Sequence, residues 1–221
     1  MKTLLFVSFL LLIGGDVTAL QAQDSLGAKA RNPIVAEEFI GDKRQYFFLM
    51  GNATISQAGK IGLLSISSYA AGYDPHIAES EYQNTTLIYH PIYGGLGINS
   101  GTRFTSVEGM RNFVGLQYAY QDTTLSLLYL PGYSWTATPM LSNFAHVEYK
   151  PALSATWSLY SRVQLQYQYD LEHSTHFRSF VYSRVGLSIS YFSFGLAHNY
   201  DSYGAAKTTK NNYGVFLQLA L

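Results

Sequence analysis

A membrane-spanning, antiparallel, up-and-down β-barrel of twelve strands, with ten as the alternative, is the fold class the sequence predicts. Three features predict it: an alternating apolar C-terminus, period-two alternation along most of the chain, and a composition poor in charge but rich in Tyr and Phe. At the C-terminus, Val215, Leu217, Leu219 and Leu221 share one face of a strand, and Gly214, Phe216, Gln218 and Ala220 share the other. Ending on an apolar residue is unusual for a soluble domain, whose last residues are commonly frayed and polar.

The chain is 48% hydrophobic and 15% aromatic but only 13% charged, where a soluble protein carries about 25% charge. Nineteen Tyr and thirteen Phe suit interfacial girdles, in which amphipathic rings sit between hydrocarbon and water. Net charge is zero, so no footprint for nucleic acid exists and no nucleic-acid partner is expected. At the N-terminus, Lys2, the apolar run Leu4 to Ile13 and the small-residue stretch Thr18 to Ala22 read as an export signal cut after Ala22, with Ala19 as the second choice. That run is too short to cross a bilayer as a helix. With no Cys, neither a lipid anchor nor a disulfide framework is available. The organisation expected is therefore a signal peptide at 1–22, a lead-in or irregular first strand at 23–44, and a barrel at 45–221.

Alternation places the strands. From Trp157 to Tyr169 the odd positions are mostly apolar or aromatic, and Ser158, Arg162, Gln164, Gln166 and Gln168 are polar. Leu96, Ile98 and Phe104 oppose Gly97, Asn99, Gly101 and Arg103. Val181, Val185, Leu187 and Ile189 oppose Tyr182, Arg184, Gly186 and Ser188. Strands are expected near 45–57, 60–71, 80–90, 95–106, 112–120, 123–136, 141–149, 156–170, 178–189, 191–200 and 212–221. Because single-chain bacterial barrels usually hold an even number of strands, either 31–42 contributes a poor first strand, giving twelve, or 45–57 is not a full one, giving ten. The steps Tyr89-His90-Pro91 and Tyr149-Lys150-Pro151 mark short periplasmic hairpin ends. Longer connections near 72–79, 106–111, 137–140, 171–177 and 201–211 are expected outside. Residues 23–44 hold a cluster of charge that includes Glu37, Glu38 and Arg44.

Two resemblances add to this reading. Asn212, Gly214, Leu217, Leu219 and Leu221 resemble the C-terminal signal read by the barrel-assembly machinery, and are the expected assembly residues. The runs Glu148 to Pro151, Trp157 to Arg162, Arg178 to Leu187, Phe194 to Ala197 and Asn211 to Phe216 resemble an uncharacterised outer-membrane barrel family of Gram-negative bacteria. That resemblance implies location in the outer membrane, with lipid as the surrounding partner, and no transferable activity.

Polar faces carrying Arg103, Arg162, Arg184 and Glu148 are expected to line the lumen. If a hairpin closes at 171–176, Asp170 sits opposite Arg178 and Arg162 nearly opposite Arg184. The wall residues then either knit into a plug or leave a narrow, modestly basic pore favouring small anionic solutes. Catalytic signals are weak. Glu172-His173-Ser174-Thr175-His176 offers two His for a metal, but loop His residues are mostly solvated, and no metal or other cofactor is expected. His76 belongs to a loop, His90 and His146 fall near periplasmic ends, and His198 lies on an apolar face. No Gly-x-Ser-x-Gly elbow or His-Glu-x-x-His motif occurs. The expectation is a structural or accessory barrel, possible partner of another outer-membrane complex, not an enzyme. A narrow pore and a lipid- or peptide-processing enzyme are the alternatives.

Overall fold

The computed structural model describes residues 34–58, 60–74, 80–135 and 138–221. The signal-peptide expectation and His76 lie outside these residues. The described chain forms one closed antiparallel barrel, with each strand paired to its sequence neighbours and the first to the last. In order the strands are β1 (Ile34–Gly41), β2 (Arg44–Ser56), β3 (Ile61–Gly72), β4 (Glu81–Tyr93), β5 (Leu96–Thr105) and β6 (Gly109–Gln121). They continue as β7 (Leu125–Ser134), β8 (Met140–Tyr149), β9 (Trp157–Asp170), β10 (Thr175–Ile189), β11 (Phe192–Tyr203) and β12 (Thr208–Ala220). The count is twelve, and β1 lies within the charged segment 23–44.

Closure follows from an even strand count, which brings both ends of the barrel chain to one rim. There Ile34 and Leu221 exchange backbone hydrogen bonds of 3.2 and 2.8 Å. Along the β1–β12 seam Val35 pairs with Ala220 and Gly41 with Gly214. No edge is left with unpaired peptide groups, which hydrocarbon requires.

Side chains follow the pleat. Ile88, Ile98, Val114, Leu116, Val163, Leu165, Val185, Leu196, Val215 and Leu217 are exposed on the outer wall. Tyr93, Tyr120, Tyr149, Trp157 and Tyr191 ring the terminal rim, and Tyr69, Tyr82, Phe104, Tyr133 and Trp135 lie toward the opposite one. An apolar band between two aromatic belts is the surface of an outer-membrane barrel, and the chain is one. Only part of the aromatic content is spent on girdles. Phe39, Tyr46, Phe48, Phe113, Phe144, Tyr160, Phe180, Tyr182 and Phe216 point inward and are buried together with Leu64, Leu87 and Leu130. The interior thus carries an aromatic cluster among its polar side chains, where an essentially polar one was expected.

Three local expectations need correction. Pro91 lies inside β4, and the turn that follows is Gly94-Gly95, both at positive φ (55° and 87°), the conformation a two-residue hairpin of this hand demands. Residues 201–211 are mostly strand, since β11 runs to Tyr203 and β12 starts at Thr208. The polar side chain of Asp201 is there to meet buried cations and is not solvated. Arg162 does pair with Arg184, but Asp170 pairs with Thr175 and Arg178 with Gln168, because β9 runs to Asp170 and β10 begins at Thr175, closing the hairpin over 171–174, with a register shift between His176 and Arg178.

Candidate functional site

The interior of the barrel is the candidate site, and its centre is Glu37. Its position on β1 turns the side chain inward, across the lumen from β9 and β10. Arg162 Nη2 lies 2.7 Å from Glu37 Oε2, and Arg184 Nη2 lies 2.8 Å from Oε1, which also accepts from Arg184 Nε at 3.0 Å. All three residues are 1% exposed. Placing two guanidinium groups side by side on neighbouring strands would be repulsive; the shared carboxylate offsets that repulsion. Further donors are used, Arg162 Nη1 donating to Gln218 Oε1 at 2.8 Å and Arg184 Nη1 to Asn199 Oδ1 at 2.8 Å, while Arg162 Nε is left without a partner. Tyr160 donates to the same Gln218 oxygen at 2.7 Å and lies 3.3 Å from Glu148 Oε2. Phe39 and Phe48 face the guanidinium groups of Arg184 and Arg162, at 4.8 and 5.3 Å.

A second ionic layer lies nearer the rim opposite the termini. Asp201 accepts from Arg44, from Arg178 at 3.1 Å and from Tyr182 at 2.7 Å. Glu81 meets Arg178 at 3.0 Å, Arg44 at 3.4 Å and Lys210 at 3.5 Å, and accepts from Tyr203 at 2.8 Å. Arg111 and Glu108 form a further pair at 2.9 Å.

The named lumen residues divide. Arg162 and Arg184 meet at Glu37, and Glu148 joins through Tyr160. Arg103 sits apart on β5, with Thr85 Oγ1 and Ser142 Oγ each 3.4 Å away and the Phe113 ring 5.7 Å away. It borders a void of about 20 Å³ walled by Leu87, Phe113, Leu130, Phe144, Asn99 and Gln166 among others. The sequence reading missed Glu37, Arg44, Glu81 and Asp201 as interior groups. Parity was the available signal for Glu37: Val35, Glu37 and Phe39 alternate with Ala36 and Glu38.

Among the assembly residues, Asn212 is fully buried and acts as a clamp. Its Oδ1 accepts from the backbone of Lys43 at 3.0 Å and Arg44 at 3.2 Å, and its Nδ2 donates to Arg44 O at 2.9 Å, fixing the β1–β2 turn against β12. Gly214 faces inward where a Cβ would run into Ile40 O and Gly41 Cα. Leu217 is exposed on the outer wall; Leu219 and Leu221 are half-buried at the terminal rim.

The His-rich loop is structural. His173 Nδ1 contacts Asp170 Oδ2 at 2.8 Å, while Asp170 Oδ1 accepts from the backbone of Glu172 and His173. The hydrogen bond and charge of Asp170 raise the His173 pKa above 6.5. Both ring nitrogens of His176 are occupied, by Gly204 O and Ser179 Oγ. No group of three or more metal-ligating side chains occurs among the described residues.

No family model matches this chain, and no curated protein does. Among solved structures, the NanC porin is similar at a TM-score of 0.48 and 11% identity over 87% of this chain and 100% of that one. A KdgM porin in complex with disordered oligogalacturonate is similar at 0.47 and 12% over 85% and 98%, and LpxR from Salmonella typhimurium at 0.43 and 8% over 84% and 99%.

Proposed function

We propose that this protein is a closed outer-membrane barrel with a structural or accessory role, neither a diffusion pore nor an enzyme. One observation carries the reading. A water-filled channel exposes its wall, yet every strand buries an inward side chain: Glu37, Phe48, Leu64, Leu87, Asn99, Gln117, Leu130, Met140, Gln164, Arg184, Asn199 and Gln218 are all buried, none more than 9% exposed. Ion pairs and aromatic rings together fill the lumen. The Asp170–His173 pair serves its own turn, and among the described residues no nucleophile is joined to it by a hydrogen bond.

In this reading the rim bearing the chain ends faces the periplasm, lipid surrounds the apolar band, and the barrel-assembly machinery reads Asn212 to Leu221. A protein partner in the same membrane is the natural client of a barrel that conducts nothing. Liposome swelling tests the closure: proteoliposomes should shrink and hold in sugars and small organic anions alike, and recovery of volume in any of them would refute it. Crosslinking in intact cells read by mass spectrometry tests the accessory role, which requires a reproducible stoichiometric partner.

A further inference from the structure

Interior cations of this barrel have carboxylates beside them: Arg162 and Arg184 share Glu37, Arg44 and Arg178 share Asp201 and Glu81, Lys210 meets Glu81, and Arg111 meets Glu108. Arg103 differs. Among the described residues its guanidinium makes no ion pair, and its two hydrogen bonds, to Thr85 and Ser142, are both long at 3.4 Å. A guanidinium has five donors, so most of its capacity is unspent. Arg103 is half-buried, and the carboxylate whose charge reaches it, Glu108, is already paired with Arg111, so among the described residues no anion touches its guanidinium.

The void beside it is built for the missing charge. Gln166 is 3% exposed and lines the same void; its Oε1 accepts from Gln83 at 3.3 Å, leaving its Nε2 unpaired. The hydroxyls of Thr85 and Ser142 also line it. The volume, about 20 Å³, suits one occupant of water size and excludes a phosphate or an organic acid. Leu87, Phe113, Leu130 and Phe144 supply apolar walls, which disfavour a strongly hydrated ion. We propose that this void binds one halide-sized monovalent anion, coordinated by the Arg103 guanidinium and Gln166 Nε2. A water is the rival occupant, since it could also donate to the unpaired Asn99 Oδ1. Water would leave Arg103 with no anion in contact, since Glu108 is committed to Arg111, and that decides for the anion.

Protein refolded and crystallised in sodium bromide gives the direct test. An anomalous bromine peak within hydrogen-bonding reach of Arg103 and Gln166 Nε2 is expected; a site holding only water, or nothing, overturns the proposal. In detergent, the Tm should rise with chloride replacing gluconate at fixed ionic strength, and Arg103→Met should abolish that rise. Equal chloride dependence in both proteins, or none in the parent, counts against the site. Should R103M not fold, the bromide experiment on the parent chain still decides. The outcome is independent of lumen closure, because a leaky barrel with a bromide peak and a tight barrel without one are both readable results.

Discussion

Two halves of this barrel solve the same problem differently. From β9 through β12 to β1 and β2, the lumen is filled by ion pairs packed among aromatic rings, centred on Glu37 and Asp201, with Glu81 reaching in from β4. From β3 to β8 it is filled mainly by Leu64, Ile66, Leu87, Phe113, Leu130 and Phe144, with the ion pair Arg111–Glu108, and there a void remains beside Arg103. The lesson is one of tolerance. An ionic network fails when one member is removed, because the others are left buried and unpaired. An apolar filling loses or gains a little with each methylene.

The sharpest way to break that contrast is to neutralise one charge in each half. Glu37→Gln strands two guanidinium groups and should cost roughly 3–5 kcal/mol in denaturant unfolding from micelles. Arg103→Met, in halide-free buffer, should stay within about 1 kcal/mol of the parent, since it removes a half-buried charge that has no ion-pair partner among the described residues. Equal losses would erase the distinction between the halves.

Glycines give a second contrast of opposite sign. At Gly214 a Cβ meets the backbone of β1, so Gly214→Ala must push the closing seam apart and should cost about 1–3 kcal/mol. At Gly132 the nearest atoms to a Cβ are at 3.5 Å, so Gly132→Ala fits into spare room and should stabilise by about 0.4–1 kcal/mol. Comparable in size to the first of these is Asn212→Ala, which orphans the backbone groups of Lys43 and Arg44 and should cost about 1–3 kcal/mol. Its effect should show first as faster amide exchange at the β1–β2 turn.

The smallest effect belongs to an exposed loop. With its folded pKa raised above 6.5 by Asp170, His173 adds stability that is complete below about pH 6.5 and fades as pH rises through the raised value. An NMR titration should place its midpoint above 6.5, and Asp170→Asn should bring it back down. A midpoint unaffected by D170N would detach the pair from the turn.

Most of the fold was legible because a pleated strand has period two and lipid enforces apolar residues on one side of it. Trp157 to Tyr169 shows this most plainly, its even positions lying inside and Val163, Leu165 and Tyr167 outside. Such parity says which residues face the lumen but not which of them meet. Glu37 and Arg162 are far apart in sequence and touch only because the barrel closes across its own diameter. The rich aromatic content was equally ambiguous, since girdle and core positions both favour Phe and Tyr. Turn boundaries suffered most, because Asp201 reads as solvated until its partners on β2 and β10 are known.

The central claim is that the lumen is shut by its own side chains. Single-channel recording on the purified chain in planar bilayers addresses it most directly: no unitary steps should occur across a range of salts and voltages, while discrete openings in the parent protein would contradict the account.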